Sequence, residues 1–202
     1  MMADVNLRPE QLSVWIARGA KGEEAACAAL YQHFSPYVMR LCVGLLGNLE
    51  DAEEVTQDSF VYALSRLGRY DPARSAFSTW LYTIAVSRCR NKRRRKVLAS
   101  LPLELLADQR FGRPDRLLEN MLERRGVRGQ VWQALQGIPT HLREAVALRY
   151  LAEMRYKEIG RALDCNPKTA ESRVRLGLAA MRAALSASGV EPASEPSEQW
   201  AW

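Results

Sequence analysis

Apolar residues recur every three or four positions along most of this chain and almost nowhere alternate with polar ones, which restricts it to helices. Between Leu12 and Leu46 the series Ala26, Leu30, Phe34, Val38, Leu41, Cys42 and Leu45 keeps helical spacing, with Ser35-Pro36 predicting a fresh helix start and Gly47-Asn48 an end. A second helix begins near Glu50 and turns Val55, Ser59, Tyr62, Ala63 and Leu67 inward until Gly68. A polar loop, Tyr70 to Ser75 with Pro72 inside it, precedes a third helix. That helix starts between Ser75 and Ser78 and runs through Trp80, Leu81, Ile84 and Ala85 into the stretch Arg88 to Lys96.

Periodicity breaks down between Val97 and Arg128, where Pro102, Gly112, Pro114 and Gly126 interrupt short leucine-rich pieces. It returns at Val131 to Leu135, and three more helices follow to about Leu185. The expected fold class is therefore all-α: two small helical domains joined by a linker, the C-terminal one a helix-turn-helix. The expected boundaries are residues 1–96, a linker at 97–128, a second domain at 129–186 and an acidic, mobile tail at 187–202.

Composition narrows the function classes. Twenty-nine Lys and Arg against 23 Asp and Glu leave a formal charge of +6, which favours a polyanionic partner. No apolar run reaches the ~18 to 20 residues of a membrane span, and the N-terminus lacks a basic start followed by an apolar stretch. Cys27, Cys42, Cys89 and Cys165 are far apart, and His33 and His141 are near none of them in sequence, so neither a zinc site nor a disulfide framework is expected. Isolated thiols packed in a reduced, cytoplasmic protein are the plainer reading. With no glycine-rich phosphate loop, no G-x-S-x-G and no metal spacing, neither enzymatic activity nor a cofactor or metal is expected.

Three segments carry chemistry. Tyr156 to Leu163, the polar turn Asp164-Cys165-Asn166 and the stretch from Pro167 to Arg175 form a helix-turn-helix pattern. With Val174 central to the buried face, Ala170, Leu178 and Met181 share its side. Lys168, Thr169, Ser172, Arg173, Arg175 and Leu176 fall opposite, able for the most part to reach base edges and phosphates. In the segment Arg88 to Lys96 seven of nine residues are basic. They continue a helix whose outer stripe, Trp80, Thr83, Ser87, Arg90 and Arg94, combines a ring, hydroxyls and guanidiniums along one line, a combination suited to a nucleic-acid backbone. Trp80 can equally belong to the core beside Phe77 and Leu81. Residues 49–58 have five acids and no base, with Asp51, Glu54 and Asp58 on one helical face. Such a face repels DNA and suits a protein partner, although a favoured first helical turn explains its beginning as well.

The order of these pieces resembles an extracytoplasmic-function (group IV) sigma factor of bacterial RNA polymerase, in the sigma-70 family. The resemblance rests on Leu49 to Phe60, Phe77 to Ala85, the basic stretch after it, and Ile138-Pro139 through Arg175, and the approach from Arg18 to Tyr31 also looks like the family's start. It implies a first domain that binds the clamp helices of the largest polymerase subunit and melts the minus-ten element. It implies a second domain that reads the minus-thirty-five element of promoter DNA and touches the flap, with the linker near the active cleft and RNA exit path. An anti-sigma factor is the regulatory partner it suggests. Asp51, Glu54, Gln57 and Asp58 match the family's polymerase-binding segment. For melting, Tyr70, Phe77 and Trp80 offer rings beside Arg90, Arg93 and Arg94, and the loop holding Asp71 and Arg74 could close over an extruded base. Ser87 stands where the family usually has Asn, Asn91 where it often has Asp, and Arg175 with Leu176 where an Arg one position later is usual. A one-component repressor would account for the helix-turn-helix alone, and an adaptor for the acidic face alone.

Overall fold

The computed structural model describes residues 8–100 and 127–188, and among them there is no strand. Nearly all of the expected tail and of the expected linker lie outside the described residues. Helix α1, Pro9–Gly19, begins with proline in its first turn, where the missing N–H costs nothing. Helix α2, Glu24–Leu46, runs straight through Pro36, so the predicted break at Ser35-Pro36 does not occur. Leu30, Phe34, Val38 and Leu41, on both sides of the proline, are fully buried against α1 and the next two helices. Each such side chain contributes roughly 1.5–3 kcal/mol of burial, more than enough in sum to offset one lost backbone hydrogen bond and its kink.

Gly47 ends α2 in the left-handed region, φ 67°, and the Asn48 side chain caps α3, Leu49–Ser65, by accepting from the Asp51 N–H at 2.7 Å. A 3₁₀ turn, Leu67–Arg69, follows, and α4, Phe77–Ser100, closes the first half. Its buried side, Phe77, Leu81, Tyr82, Ala85, Val86 and Cys89, meets α2 and α3. All four cysteines are free thiols, and Cys42 and Cys89 are fully buried in this core.

The second half comprises α5, Val127–Gly137; α6, Thr140–Tyr150; α7, Tyr156–Leu163; and α8, Pro167–Ala187. The α7–α8 turn is fixed by its own residues. Asp164 takes a left-handed conformation, φ 53°, the Cys165 N–H bonds to the Gly160 carbonyl at 2.8 Å, and Asn166 caps α8 through the Thr169 N–H at 2.7 Å. A side chain on Gly160 would stand 2.6 Å from the Cys165 carbonyl oxygen, so the turn can close this tightly only over glycine. Of the expected inner face of α8, Ala170, Val174 and Met181 are buried and Leu178 is half-buried. The halves touch, α2 against α5 and α6, and α4 against α7, and their buried residues form one continuous cluster.

Candidate nucleic-acid and polymerase interfaces

Helix α4 separates its residues by face. Trp80, Thr83, Ser87, Arg90 and Arg94 all stay partly or fully exposed while their neighbours Leu81, Ile84, Ala85, Val86 and Cys89 are buried, so the polar stripe is the helix's outer line. Asn91 and Arg93 are partly buried, and Arg94, Arg95 and Lys96 are exposed. Phe77, expected among the melting rings, is a correction: it is 2% exposed, with its ring 5.1 Å from that of Phe34, and it belongs to the core. It supports the two rings that do reach the surface, Tyr70 at 5.4 Å and Trp80 at 5.7 Å, which lie 5.4 Å from each other. Tyr70 donates its hydroxyl to the Ser75 carbonyl at 2.9 Å, and Asp71 accepts from the Ala73 N–H at 2.9 Å. The loop with exposed Asp71 and Arg74 is thereby tied across its mouth. Burial raises the Tyr70 phenol above its ordinary value, with the Asp71 charge adding to it.

The acidic face of α3 divides in two. Glu54, Gln57 and Asp58 are exposed. Asp51 is 8% exposed and does not stand free; it pairs with Lys96 and, at 3.5 Å, with Lys92, which also holds Glu54. The hydrogen bond to Glu54 raises the Lys92 pKa, with burial opposing and both carboxylate charges assisting. The basic segment thus neutralises part of the acidic one, which one-dimensional reading had treated as a separate surface. Sequence reasoning also missed a cation–π stack in which the guanidiniums of Arg66 and Arg88 lie 4.1 and 4.4 Å from the Tyr62 ring centre. Tyr62 is half-buried rather than wholly inward-facing, and only the arginines flanking it in space give it this role.

On the helix-turn-helix, Lys168, Thr169, Ser172 and Arg173 join Asn166 and Pro167 around an open concavity of ≈ 690 Å³ at the start of α8. Arg175 is exposed but lies outside that lining, since two residues along a helix turn ~200°; the structure does not bring the two arginines together. Leu176, 49% exposed, presents apolar surface next to them. Among the described residues, no cluster of three or more His, Cys, Asp or Glu could hold a metal, and no helix is long and apolar enough to cross a membrane.

Known proteins share this arrangement. Residues 30–98 match the family model for sigma-70 region 2, and residues 128–181 that for sigma-70 region 4. The sigma-E factor of Escherichia coli is 30% identical over 176 residues, covering 82% of this chain and 90% of its own. Among solved structures, CnrH in complex with the cytosolic domain of CnrY superimposes with a TM-score of 0.64 at 23% identity, over 86% of this chain and 96% of CnrH. The sigma factor RpoE of Bartonella quintana, solved with the anti-sigma factor NepR, gives 0.60 at 20% identity, over 79% and 96%. The chain belongs to the extracytoplasmic-function sigma factors of the sigma-70 family, the proteins of promoter-specific transcription initiation.

Proposed function

We propose that this sigma factor divides its work along the boundaries drawn from sequence, residues 1–96 docking on core RNA polymerase and opening the minus-ten element, residues 129–186 reading the minus-thirty-five element. Glu54, Gln57 and Asp58 form the exposed docking edge on the clamp helices, with Asp51 holding α3 to α4 behind them. Trp80 and Tyr70 offer stacking faces for unpaired bases, the 71–75 loop receives one extruded base, and Ser87, Arg90, Asn91, Arg93 and Arg94 follow the strand. Lys168, Thr169, Ser172 and Arg173 enter the upstream major groove, and Arg175 holds the flanking phosphate. The protein works in the cytoplasm, where its polymerase is, and a regulator of the anti-sigma kind fits the company that the Bartonella quintana neighbour keeps.

The observation that carries this reading is the outer line of α4, where a half-exposed tryptophan precedes hydroxyls and arginines on a helix whose other side is core. The test is reconstitution with bacterial core polymerase on a library of promoter fragments. Copurification with core and selection of fragments sharing two spaced elements is the expected result. Tight sequence-specific binding by the chain alone, with no association with core, would instead make it a one-component regulator.

A further inference from the structure

Along the flank of α4 that faces α3, the cations are paired at one end and unpaired at the other. Lys92 and Lys96 hold Glu54 and Asp51 of α3. One turn before Lys92, Arg88 reaches the same groove and joins Arg66, at the end of α3, on the ring of Tyr62. Among the described residues neither of these two arginines forms an ion pair, and neither side chain donates a hydrogen bond. Arg90 and Arg93 differ again. Arg90 is ~200° round the helix from Arg88, and it and Arg93 are both taken up by the Glu144 carboxylate. Burial alone would raise the Glu144 pKa; the hydrogen bonds from Arg90 and the charge of Arg93 outweigh it and keep that carboxyl below its ordinary value.

Packing gains little from two cations on one partly exposed ring. They lie within a Debye length of each other, ~10 Å at 0.1 M salt, and so repel, while each cation–π contact returns little where water reaches it. The dipole at the C-terminal end of α3 favours Arg66, but Arg88 sits in the middle of α4 and receives nothing from it. The neighbourhood supplies no counter-charge either. The one acid between Arg66 and Arg74 is Asp71, whose carboxylate accepts from the Ala73 N–H, and Asp58, a turn before Tyr62, joins neither guanidinium. What the stack does is fix the plane of each guanidinium and leave its N–H edge free to donate, the arrangement in which arginine takes a phosphate.

We propose that Tyr62, Arg66 and Arg88 form an anion site for one backbone phosphate of the promoter strand, each guanidinium donating to one of its non-bridging oxygens. This rests on the outer line of α4 being the strand-binding surface. Arg88 directly follows the exposed Ser87 of that line, and Arg66 stands four residues before Tyr70, so a strand that stacks on Tyr70 and passes Ser87 is led to the site. It lies on the α3 side of the line, away from Arg90 and Arg93, and adds a contact that the line itself does not contain.

Holoenzyme assembled with core polymerase on a selected promoter fragment tests this, with single phosphates of each minus-ten strand replaced in turn by neutral methylphosphonate. Wild type should lose affinity at several positions. Arg66→Gln and Arg88→Gln should each bind the natural fragment about ten-fold more weakly, with a logarithmic salt slope smaller by about 0.7. At one position, the same for both variants, methylphosphonate should cost them nothing further. Arg88→Lys, which keeps the charge and gives up the fork, should recover only part of the affinity. The proposal is overturned if both Gln variants keep every sensitive position of the wild type. It is equally overturned if they lose affinity at all positions alike with a lowered melting temperature, because the stack is then a prop between α3 and α4. Inorganic phosphate at constant ionic strength should raise the melting temperature of wild type no more than that of the variants. A rise in wild type alone, with unchanged methylphosphonate maps, would assign the site to a free phosphate compound and overturn the strand as its source. Failure of the strand-binding reading looks different: wild-type holoenzyme would then show no sensitive phosphate in the minus-ten element.

Discussion

Replacing Phe77 and Trp80 one at a time should separate the core from the melting surface, because these two rings are three residues apart and touch, yet differ in exposure. Phe77 is 2% exposed and packs on Phe34 and Tyr70, so Phe77→Ala removes a whole core ring and leaves a cavity, a loss of ~3–5 kcal/mol. A helical unit of this size has ~5–13 kcal/mol in all, so the variant should melt ~12–30 °C lower. Trp80 is half-buried and keeps contacts only with Tyr70 and Phe77 among the rings, so Trp80→Ala should cost about 1–2 kcal/mol and stay folded at 25 °C. Its larger effect should fall on strand opening. A base stacked on an aromatic ring is stabilised by ~1–3 kcal/mol, about a 5- to 150-fold change in the open-complex population. Circular dichroism melts, permanganate reactivity of promoter thymines, and transcription from duplex and premelted templates measure these quantities together. The expected pattern is a folded Trp80→Ala holoenzyme, weak on duplex and near wild type on premelted DNA. If Trp80→Ala melts as low as Phe77→Ala and loses activity equally on both templates, Trp80 is a core residue and the stacking argument fails.

Four further outcomes follow from the same contacts. Glu54→Gln with Asp58→Lys should weaken copurification with core polymerase with little change in melting temperature, since Glu54 is exposed and loses one surface pair, whereas Asp51→Lys, placing a cation against Lys92 and Lys96, should also destabilise the first half. Arg173→Ala should relax preference at one upstream base pair at a cost of ~1–3 kcal/mol, while Arg175→Ala should weaken all upstream sequences alike, as read by transcription from a panel of point-mutated promoters. Gly160→Ala, forced against the Cys165 carbonyl at 2.6 Å, should cost ~1–3 kcal/mol and remove upstream-element dependence, measured by calorimetry and promoter competition. Because the Glu144 carboxyl has a folded-state pKa below its unfolded value of ~4.3, its contribution to stability is complete above that value and is lost as pH falls through the lower folded one. The melting temperature should therefore keep this contribution from neutral pH to about pH 5 and lose it only in stronger acid, as circular dichroism melts across that range will show.

Helical class, the two halves and the helix-turn-helix were legible because each depends on short-range spacing. Val174 with Ala170 and Met181, or Asp164 and Asn166 at the turn, act within two helical turns of one another, and tertiary packing only confirms them. Pro36 was misread for the same reason. A proline is a strong local signal, but a helix packed along most of its length by Leu30, Phe34, Val38 and Leu41 keeps its course across one missing donor, and burial is not visible in a window of a few residues. Phe77 and Trp80 look alike in sequence, both aromatic at the start of an amphipathic helix. Only the position of Phe34, 43 residues earlier, decides which ring is covered.

The charged residues show where linear reading stops. An acidic run and a basic run in one sequence suggest two surfaces with two partners, yet Asp51 and Glu54 already hold Lys92 and Lys96, and Arg90 and Arg93 already hold a carboxylate 51 and more residues away. A buried ion pair adds little net stability over an apolar contact, because desolvation absorbs most of the attraction, but breaking one by removing a single partner is expensive. A carboxylate buried against two arginines is therefore a poor way to strengthen a fold, and its removal should be felt mainly through the arginines it leaves unpaired.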